Sequence, residues 1–284
     1  MDGLLLVNKE ENYTSRDVVN VISKIFNTSK VGHAGTLDPI AEGVLVIAVG
    51  RGLKLIDFLS CYKKEYIATV SMGFLTDTLD VTGDKTIEFN DFSIDKDTLS
   101  DKLKEFVGKS IQTVPLYSAV KVNGRRLYEY ARKGENIELP KREIEIYDIE
   151  LLDFNDKEFK FRVEVSKGTY IRSLIKDIGD KLKIPCTMKN LVRTKQGSFK
   201  IEDSYTLNEI KNGNYKIIPL IDCIDNFFKV EVDDYIAKKI SNGRILENRY
   251  KEDKIAFINN NQLLALYKPY EKDQTLIKPI KVFK

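Results

Sequence analysis

The chain has 284 residues, of which 42% are hydrophobic, and it carries a formal net charge of +3. This length favours one large domain plus a small one, or two modest domains, and the composition supplies ample material for a packed core. The single histidine, and three cysteines without CxxC spacing, argue against a His-rich metal centre, a zinc site and a disulfide framework; the cysteines are Cys61, Cys186 and Cys223.

The apolar runs of the sequence are short, which bears on where in the cell the protein is expected. The N-terminal segment has an apolar run of only four residues, at positions 4–7 between Asp2 and Lys9, which is too short for a signal peptide. The longest apolar run, residues 44–49, is far below the length of a membrane-spanning helix. We therefore expect a cytoplasmic protein that has reduced thiols and does not contact a membrane.

Charge is distributed unevenly along the chain. Residues 161–200 hold ten Lys/Arg against three Asp/Glu, and residues 121–142 hold seven against three. Residues 74–105 reverse the balance, with nine acidic and four basic side chains. Separated basic stretches can combine into one face that follows a phosphate backbone, although each run alone is equally compatible with ordinary solvated charge.

The first part of the chain predicts alternating strands and helices. Residues 4–7 form a short buried strand, and Thr14 and Asp17 have capping-box spacing before apolar residues at helical intervals over 18–26. A glycine-rich turn over residues 31–43 precedes a strand at 44–49, and residues 53–59 form a helix. Strict alternation over residues 66–72 predicts another strand.

The second part contains the clearest strand pattern, an alternation over residues 159–166. A helix begins after Gly168 and Thr169, with an apolar stripe from Ile171 to Leu182. Residues 200–226 form a connecting stretch, and residues 230–284 form a compact β-rich unit. We therefore predict an α+β fold: a mixed, mostly antiparallel central sheet flanked by helices, plus a small β-rich C-terminal domain.

One loop, residues 32–39 with the sequence GHAGTLDP, combines two glycines, a proline and the only histidine. Asp38 precedes Pro39, and a residue before proline favours an extended backbone, here at the edge of a loop. In the alternative interpretation the loop is a plain turn, in which the Asp38 side chain bonds its own backbone. His33 could be a buried hydrogen-bonded residue or a general base. Because no Ser/His/Asp pattern or metal cluster surrounds it, a carboxylate is the obvious candidate for covalent or acid–base chemistry.

Residues 32–45, GHAGTLDPIAEGVL, resemble the signature of the TruB family of tRNA pseudouridine synthases. Further segments are similar to family motifs and occur in family order: KEY at 64–66, TDTLD at 76–80, PLYSAVK at 115–121, GRRLYEYAR at 124–132, SKGTYIRSL at 166–174 and LVRT at 191–194. The resemblance implies a pseudouridine-synthase catalytic domain over residues 1–226, with a thumb loop at about 115–142. Residues 227–284 resemble a small PUA-like RNA-binding domain.

The resemblance also implies catalytic roles. Asp38 is the catalytic carboxylate, which either attacks the sugar or the base or removes a sugar proton. Arg172 pairs with it and keeps it ionised. Tyr66 and Tyr170 act on the uracil, and Tyr66 is also a candidate for removing the C5 proton. Without the resemblance, Tyr66 is equally compatible with a core tyrosine, and Arg172 with a solvated arginine.

The target uridine must be flipped out of a folded tRNA loop. By resemblance, His33 fills the gap that flipping leaves, and Asp80 contacts RNA or orders the active-site loops. Basic residues expected to bind RNA are Lys64, Lys121, Arg125, Arg126, Arg132 and Lys167. We expect a monomer that binds the T-arm of tRNA and needs no cofactor and no metal.

The expected reaction is the isomerisation of uridine to pseudouridine in the T-loop, at position 55 by family resemblance. It involves no oxidation and no hydrolysis, so it demands only a nucleophile or base, a held uracil and exclusion of water. Two other functions remain open. One is a non-catalytic RNA-binding or RNA-folding protein, and the other is a glycosidase or nucleosidase, which requires a second carboxylate across the cleft.

Overall fold

The computed structural model describes residues 1–224 and 226–283. Its strands are, in chain order, β1 (Gly3–Lys9), β2 (Val31–His33), β3 (Glu42–Val49), β4 (Lys64–Met72), β5 (Phe74–Thr76), β6 (Lys85–Glu88), β7 (Gly108–Thr113), β8 (Lys121–Val122), β9 (Arg125–Arg126), β10 (Lys141–Phe154), β11 (Glu158–Val165), β12 (Cys186–Gln196), β13 (Phe199–Lys200), β14 (Phe228–Glu231), β15 (Leu246–Glu247), β16 (Ile255–Asn259), β17 (Gln262–Tyr270) and β18 (Asp273–Val282). The α-helices are α1 (Ser15–Ile25), α2 (Ile56–Leu59), α3 (Lys96–Lys104), α4 (Leu127–Lys133), α5 (Ile171–Leu182), α6 (Leu207–Lys211) and α7 (Asp234–Ser241).

A nine-stranded sheet forms the centre of the larger unit. Its main path runs β1-β3-β12-β4-β11-β10-β7, while β2 pairs with β3 and β13 pairs with β12. Strand β12 lies parallel to β3, whereas its neighbour β4 pairs with it antiparallel. The sheet is therefore mixed and mostly antiparallel, which confirms the predicted α+β class.

The capping box predicted at the start of α1 is present. Asp17 N donates to Thr14 Oγ1 at 3.0 Å, and Thr14 N donates to the Asp17 carboxylate at 2.9 Å. These bonds satisfy main-chain N–H groups that a helix end leaves open. Val18 and Ile22 then face the main core, because they share one side of the helix.

Helix α5 brings the second half of the chain onto the same core. Its predicted apolar stripe is buried, with Leu174, Ile175 and Ile178 packed in the main cluster. The helix ends where Lys183 adopts a left-handed conformation, which closes the last turn by a main-chain bond from Lys183 to Asp180. The first turn of α5 is thus held at a fixed place beside the sheet.

The C-terminal unit has its own five-stranded sheet, in the order β14-β16-β17-β18-β15, with α7 packed against it. One face of β1 and β3 contributes to the same apolar cluster as this unit, and the shared cluster contains Leu4, Leu6, Val44, Val46, Ala256, Leu263, Leu266 and Phe283. Two main-chain carbonyls near the C-terminus also accept hydrogen bonds from Lys54 and Arg51. The small β-rich domain that the sequence predicts is therefore present and packs directly on the larger one.

Three local predictions differ from the structure. The turn predicted over residues 31–43 begins with strand β2, because residues 31–33 pair with β3. Residues predicted as one helix over 53–59 divide into a 3-10 helix, Gly50–Leu55, and α2. The connecting stretch at 200–226 contains α6 and 3-10 helices at Ile201–Asp203 and Leu220–Cys223, and its residue 225 lies outside the described residues.

Two features are absent from the residues that the structure describes. None of the helices at positions 1–224 and 226–283 is both long enough and apolar enough to cross a membrane. In the same residues, no group of three or more His, Cys, Asp or Glu side chains is arranged to hold a metal ion.

Candidate active site

The four residues predicted to be catalytic line one cleft. Asp38 comes from the loop before β3, Tyr66 from β4, and Tyr170 and Arg172 from the start of α5. The cleft has a volume of about 160 Å³, which is enough for one flat pyrimidine base. Its remaining lining residues are Thr36, Leu37, Ser118, Ala119, Thr169, Ile171 and Leu191.

The loop that carries Asp38 is tied down on both sides. On the N-terminal side, Leu37 N donates to the buried Ser15 Oγ at 2.8 Å, and Ser15 Oγ donates to Leu37 O at 3.1 Å. On the C-terminal side, the buried Lys9 Nζ donates to Pro39 O at 3.2 Å. The Asp38 side chain itself remains 34% exposed, so it is held in place yet open to a substrate.

Arg172 connects three segments that are distant in the sequence. Its side chain is only 6% exposed, and its Nε lies 2.9 Å from Asp38 Oδ2. Nη1 donates to Thr78 O at 2.9 Å and lies 3.5 Å from Asp80 Oδ2, while Nη2 donates to Tyr117 O at 3.1 Å. Nε makes no aligned hydrogen bond within the described residues, so its contact with Asp38 is an ion pair.

Asp80 is buried within its own loop. Its Oδ1 accepts hydrogen bonds from Thr78 Oγ1 at 2.9 Å and from Thr82 N at 3.1 Å. Its Oδ2 faces the Arg172 guanidinium. These contacts fix the carbonyl of Thr78, which Arg172 uses. Of the two roles expected for Asp80, the geometry favours ordering the active-site loops over contacting RNA.

Tyr170 is positioned by a residue that sequence reasoning missed. Gln112 is buried on β7, and its side-chain amide makes two hydrogen bonds to the Tyr170 main chain. Tyr170 N donates to Gln112 Oε1 at 2.8 Å, and Gln112 Nε2 donates to Tyr170 O at 3.1 Å. The Arg142 guanidinium lies 5.3 Å from the centre of the Tyr170 ring. A glutamine within a strand carries no sequence signal for this role.

Arg193, which belongs to the LVRT segment at 191–194, has a structural role next to the Asp38 loop. Its side chain is fully buried, and it donates to the carbonyls of Val44 at 2.8 Å and Gly35 at 3.2 Å. It thereby joins the catalytic loop to β3. Gly43 has a φ of +103°, and a Cβ there would lie 2.3 Å from Arg193 O, so only glycine permits this close approach of β3 and β12.

Lys9 and Lys64 are two further buried cations beneath the same loop. Lys9 Nζ bonds to three main-chain carbonyls, including that of Pro39, and Lys64 Nζ donates to Ser60 O at 3.1 Å and Tyr62 O at 2.7 Å. Burial lowers the pKa of each lysine from its ordinary value of 10.5 to about 8. We had expected Lys64 to contact RNA. In the chain without RNA its ammonium is buried and bonds to these carbonyls, which gives Lys64 a positioning role, and a contact with RNA stays a prediction.

His33 lies at the end of β2, beside the catalytic loop. Its Nδ1 is buried and has no hydrogen-bond partner at positions 1–224 or 226–283. Burial, with a smaller contribution from the charge of Arg193, lowers the pKa of His33 below its ordinary value of 6.5. The ring is therefore neutral at neutral pH, which suits packing beside a nucleotide better than pairing with a phosphate.

The predicted thumb contains a short hairpin, whose strands β8 and β9 have two residues each, followed by α4. Arg125 is used within it, because it pairs with Glu135 and its guanidinium lies 3.9 Å from the centre of the Tyr130 ring. The other predicted RNA-binding cations of the thumb lie on its surface; these are Lys121, Arg126 and Arg132. The exposed Lys167 lies 3.5 Å from Cys61 Sγ.

One side chain links the thumb to the acidic loop, which is the TDTLD segment at residues 76–80. Tyr117 OH donates to Asp77 Oδ2 at 2.9 Å, and this bond raises the pKa of Tyr117 above its ordinary value. Because Arg172 also bonds to Tyr117 O, the base of the thumb contacts both the acidic loop and the catalytic arginine.

Comparisons with known proteins identify the family of the chain. Residues 23–171 match the profile described as TruB family pseudouridylate synthase (N terminal domain). A protein of Oceanobacillus iheyensis named tRNA pseudouridine synthase B is 40% identical over 297 residues, which cover 100% of this chain and 98% of that protein.

The chain belongs to the TruB family of pseudouridylate synthases.

Two further relatives of this TruB-family chain carry the same name. The protein of Clostridium tetani is 42% identical over 269 residues, covering 94% of this chain and 92% of its own length. The protein of Bacillus subtilis is 40% identical over 302 residues, covering 99% and 97%. The family membership makes the chain an enzyme of the isomerase class.

Solved structures confirm the fold. The crystal structure of a Cbf5-Nop10-Gar1 complex contains a chain with 28% identity and a TM-score of 0.75, and the match covers 99% of this chain and 85% of that one. An H/ACA RNP bound to a substrate RNA containing 2'-deoxyuridine gives 25% identity, a TM-score of 0.74 and the same coverage. The match extends over nearly the whole chain and so includes the C-terminal β-rich domain.

Proposed function

We propose that this TruB-family enzyme converts uridine to pseudouridine in the T-loop of tRNA, at position 55, and that the Asp38 carboxylate is its nucleophile or base. The observation that carries the proposal is the ion pair between Asp38 and the buried Arg172 in a cleft large enough for one base. The names of the full-length relatives support tRNA as the substrate.

The cleft supplies what an isomerisation requires. The uracil must leave C1′ through N1, turn, and rejoin through C5 without being lost to solvent. Tyr66 offers an aromatic face for stacking, a contact of about 1–3 kcal/mol per base. Ile171 and Leu191 add apolar walls, which favour exclusion of water during the turn.

The arrangement around Asp38 argues against a nucleosidase. Such an enzyme needs a second carboxyl group across the cleft to act as an acid. Among the described residues that line the cleft, Asp38 supplies the carboxylate, and no other Asp or Glu is present. Asp80 is the neighbouring carboxylate, but hydrogen bonds from its own loop and the Arg172 guanidinium already occupy it.

RNA binding is assigned to exposed cations and to His33. We propose that Lys121, Arg126 and Arg132 on the thumb contact phosphates of the T-arm, together with Lys167. His33 occupies the gap left by the flipped uridine. Residues 1–226 form the catalytic domain and residues 227–284 an RNA-binding PUA-like domain of a monomer.

The test is to map modified uridines in tRNA transcripts after incubation with the purified protein. We expect pseudouridine in the T-loop with the wild type. Asp38→Asn should abolish turnover and leave the Kd for tRNA within a few-fold. Asp57→Asn is the matched control, since Asp57 is an exposed carboxylate paired with Lys281 and should retain full activity.

Three outcomes contradict the proposal in different ways. A wild type that leaves every uridine unmodified refutes the reaction. Release of free uracil identifies a nucleosidase instead. Asp38→Asn with normal turnover refutes the role of the carboxylate while leaving the reaction intact.

A further inference from the structure

Ser118 carries a hydroxyl group that the protein itself does not use. The residue is 6% exposed and lines the cleft beside Ala119. Its Oγ is buried and has no hydrogen-bond partner in the part of the chain that the structure describes. A buried polar group without a partner costs about 1–3 kcal/mol, so its presence in a native cleft calls for an explanation.

The main chain around Ser118 is rigidly held. Ser118 N donates to Leu116 O at 2.9 Å, and Ser118 O accepts from Tyr128 N at 3.1 Å. The preceding carbonyl, that of Tyr117, accepts a hydrogen bond from Arg172. The main chain of Ser118 is therefore held beside Arg172 by contacts with the thumb, and rotation about one bond sets the direction of its hydroxyl.

A flipped uracil presents a ring face and a polar edge to the cleft. Tyr66 can stack on the face of the ring, and the side chains of Ile171 and Leu191 offer apolar contact. Among the other hydroxyls of the cleft, that of Thr169 already donates to Ser166 O at 3.1 Å. The polar edge of uracil, with two carbonyl oxygens and one N–H, loses its water in such a cleft and needs hydrogen bonds. A hydroxyl both donates and accepts, so it can serve either kind of atom on that edge.

The reaction makes a hydroxyl particularly suitable. Turning uracil about the axis through N3 and C6 exchanges N1 with C5, and it also exchanges O2 with O4. The polar edge therefore looks nearly the same from a fixed donor before and after the turn. One hydroxyl in one place can hold the base in the substrate orientation and again in the product orientation.

We propose that Ser118 Oγ hydrogen-bonds a carbonyl oxygen of the flipped uracil, and so contributes a substrate contact from the thumb to the catalytic cleft. This inference rests on the proposed pseudouridine synthase function. It assigns the thumb a role in holding the base as well as in holding the tRNA.

The test compares Ser118→Ala with the wild type on full-length tRNA. We expect kcat to fall about 3- to 10-fold, as for one lost hydrogen bond. The Kd for tRNA should stay within twofold, because the bond forms only to the flipped base. Thermal unfolding should be unchanged or shifted upward, since the variant removes an unsatisfied buried hydroxyl.

A matched control is Ser71→Ala. Ser71 is similarly buried, at 8% exposure, but its Oγ bonds to Glu158 and lies outside the cleft. This variant should keep its kcat. Ser118→Cys is a second variant of nearly the same size whose thiol donates only weakly, so it should fold normally and resemble Ser118→Ala in kcat.

Substrate analogues identify the atom that is contacted. We would replace the target uridine with 2-thiouridine or 4-thiouridine, because sulfur is a weak acceptor. For at least one analogue the wild type should slow toward the Ser118→Ala rate, and the variant should slow less than the wild type.

Several outcomes overturn the inference. These are a wild-type kcat in Ser118→Ala, a lower unfolding temperature that accompanies the loss of kcat, or equal slowing of both proteins by each analogue. A wild type that makes no pseudouridine refutes the proposed function itself, whereas an active wild type with an equally active Ser118→Ala refutes only the role of Ser118.

Discussion

Arg172 Nε lies 2.9 Å from Asp38 Oδ2, although one residue begins a helix and the other lies in a loop before a distant strand. The guanidinium uses its other nitrogens to bind the carbonyls of Thr78 and Tyr117. The position of the Asp38 carboxylate is therefore tied to the acidic loop and to the base of the thumb. The same guanidinium therefore holds these two segments together and orients the Asp38 side chain.

Replacing Arg172 with lysine tests this arrangement. Lysine keeps the positive charge but is a single ammonium, which cannot reach three segments as a planar guanidinium does. We expect Arg172→Lys to lower kcat roughly a hundredfold, comparable to loss of one electrostatic group at a reacting centre. Stability should fall by about 1.5–3 kcal/mol, measured by urea unfolding. Wild-type turnover in this variant would show that charge alone is sufficient.

Gln112 offers a prediction about the positioning of Tyr170. Gln112→Met has a similar volume but removes both hydrogen bonds to the Tyr170 main chain. We expect a loss of about 1–3 kcal/mol in unfolding free energy and a fall in kcat with little change in KM for tRNA. Gln262→Met, at an exposed glutamine, is the control and should change neither. A rise in KM with unchanged kcat would place the effect in tRNA binding instead.

The lowered pKa of Lys9 should make the stability of the protein depend on pH. Its pKa is about 8 in the folded protein and close to 10.5 when it is solvated. Between these values the unfolded chain holds a proton that the folded protein has lost, so the free energy of unfolding rises with pH. In Lys9→Met this contribution is absent. The stability of the wild type relative to the variant should therefore increase from pH 8 to 10.5.

Urea unfolding of both proteins across that pH range measures the difference. Lys64, whose pKa is also lowered to about 8, titrates in both proteins and cancels in the comparison. A stability difference that is constant with pH would mean that Lys9 keeps its proton throughout.

Two neighbouring thumb arginines should behave differently. Arg126 is exposed, whereas Arg125 pairs with Glu135 within the thumb. We expect Arg126→Ala to raise KM for tRNA and to reduce the slope of log affinity against log salt by about 0.7–0.9, the value of one phosphate contact. Arg125→Ala should leave that slope unchanged. Equal slopes for Arg126→Ala and the wild type would remove Arg126 from the interface.

Periodic secondary-structure elements and local motifs could be predicted from the sequence, whereas the tertiary contacts between them could not. The capping box at Thr14 and the apolar stripe of α5 are local patterns, and both are confirmed. The grouping of Asp38 with Arg172 was expected only from family resemblance. Gln112 and Arg193 were missed as positioning residues, because their roles depend on tertiary contacts with main-chain atoms from other elements.

The two faces of strand β1 impose an order on the assembly of the protein. Leu5 and Val7 face the main core, whereas Leu4 and Leu6 pack in a cluster that includes side chains from residues 256–283. Residues 256–283 are synthesised much later than β1. The outer face of β1 is therefore fully enclosed only when these distant residues have folded against it, so the packing of the larger unit and that of the C-terminal unit are completed together.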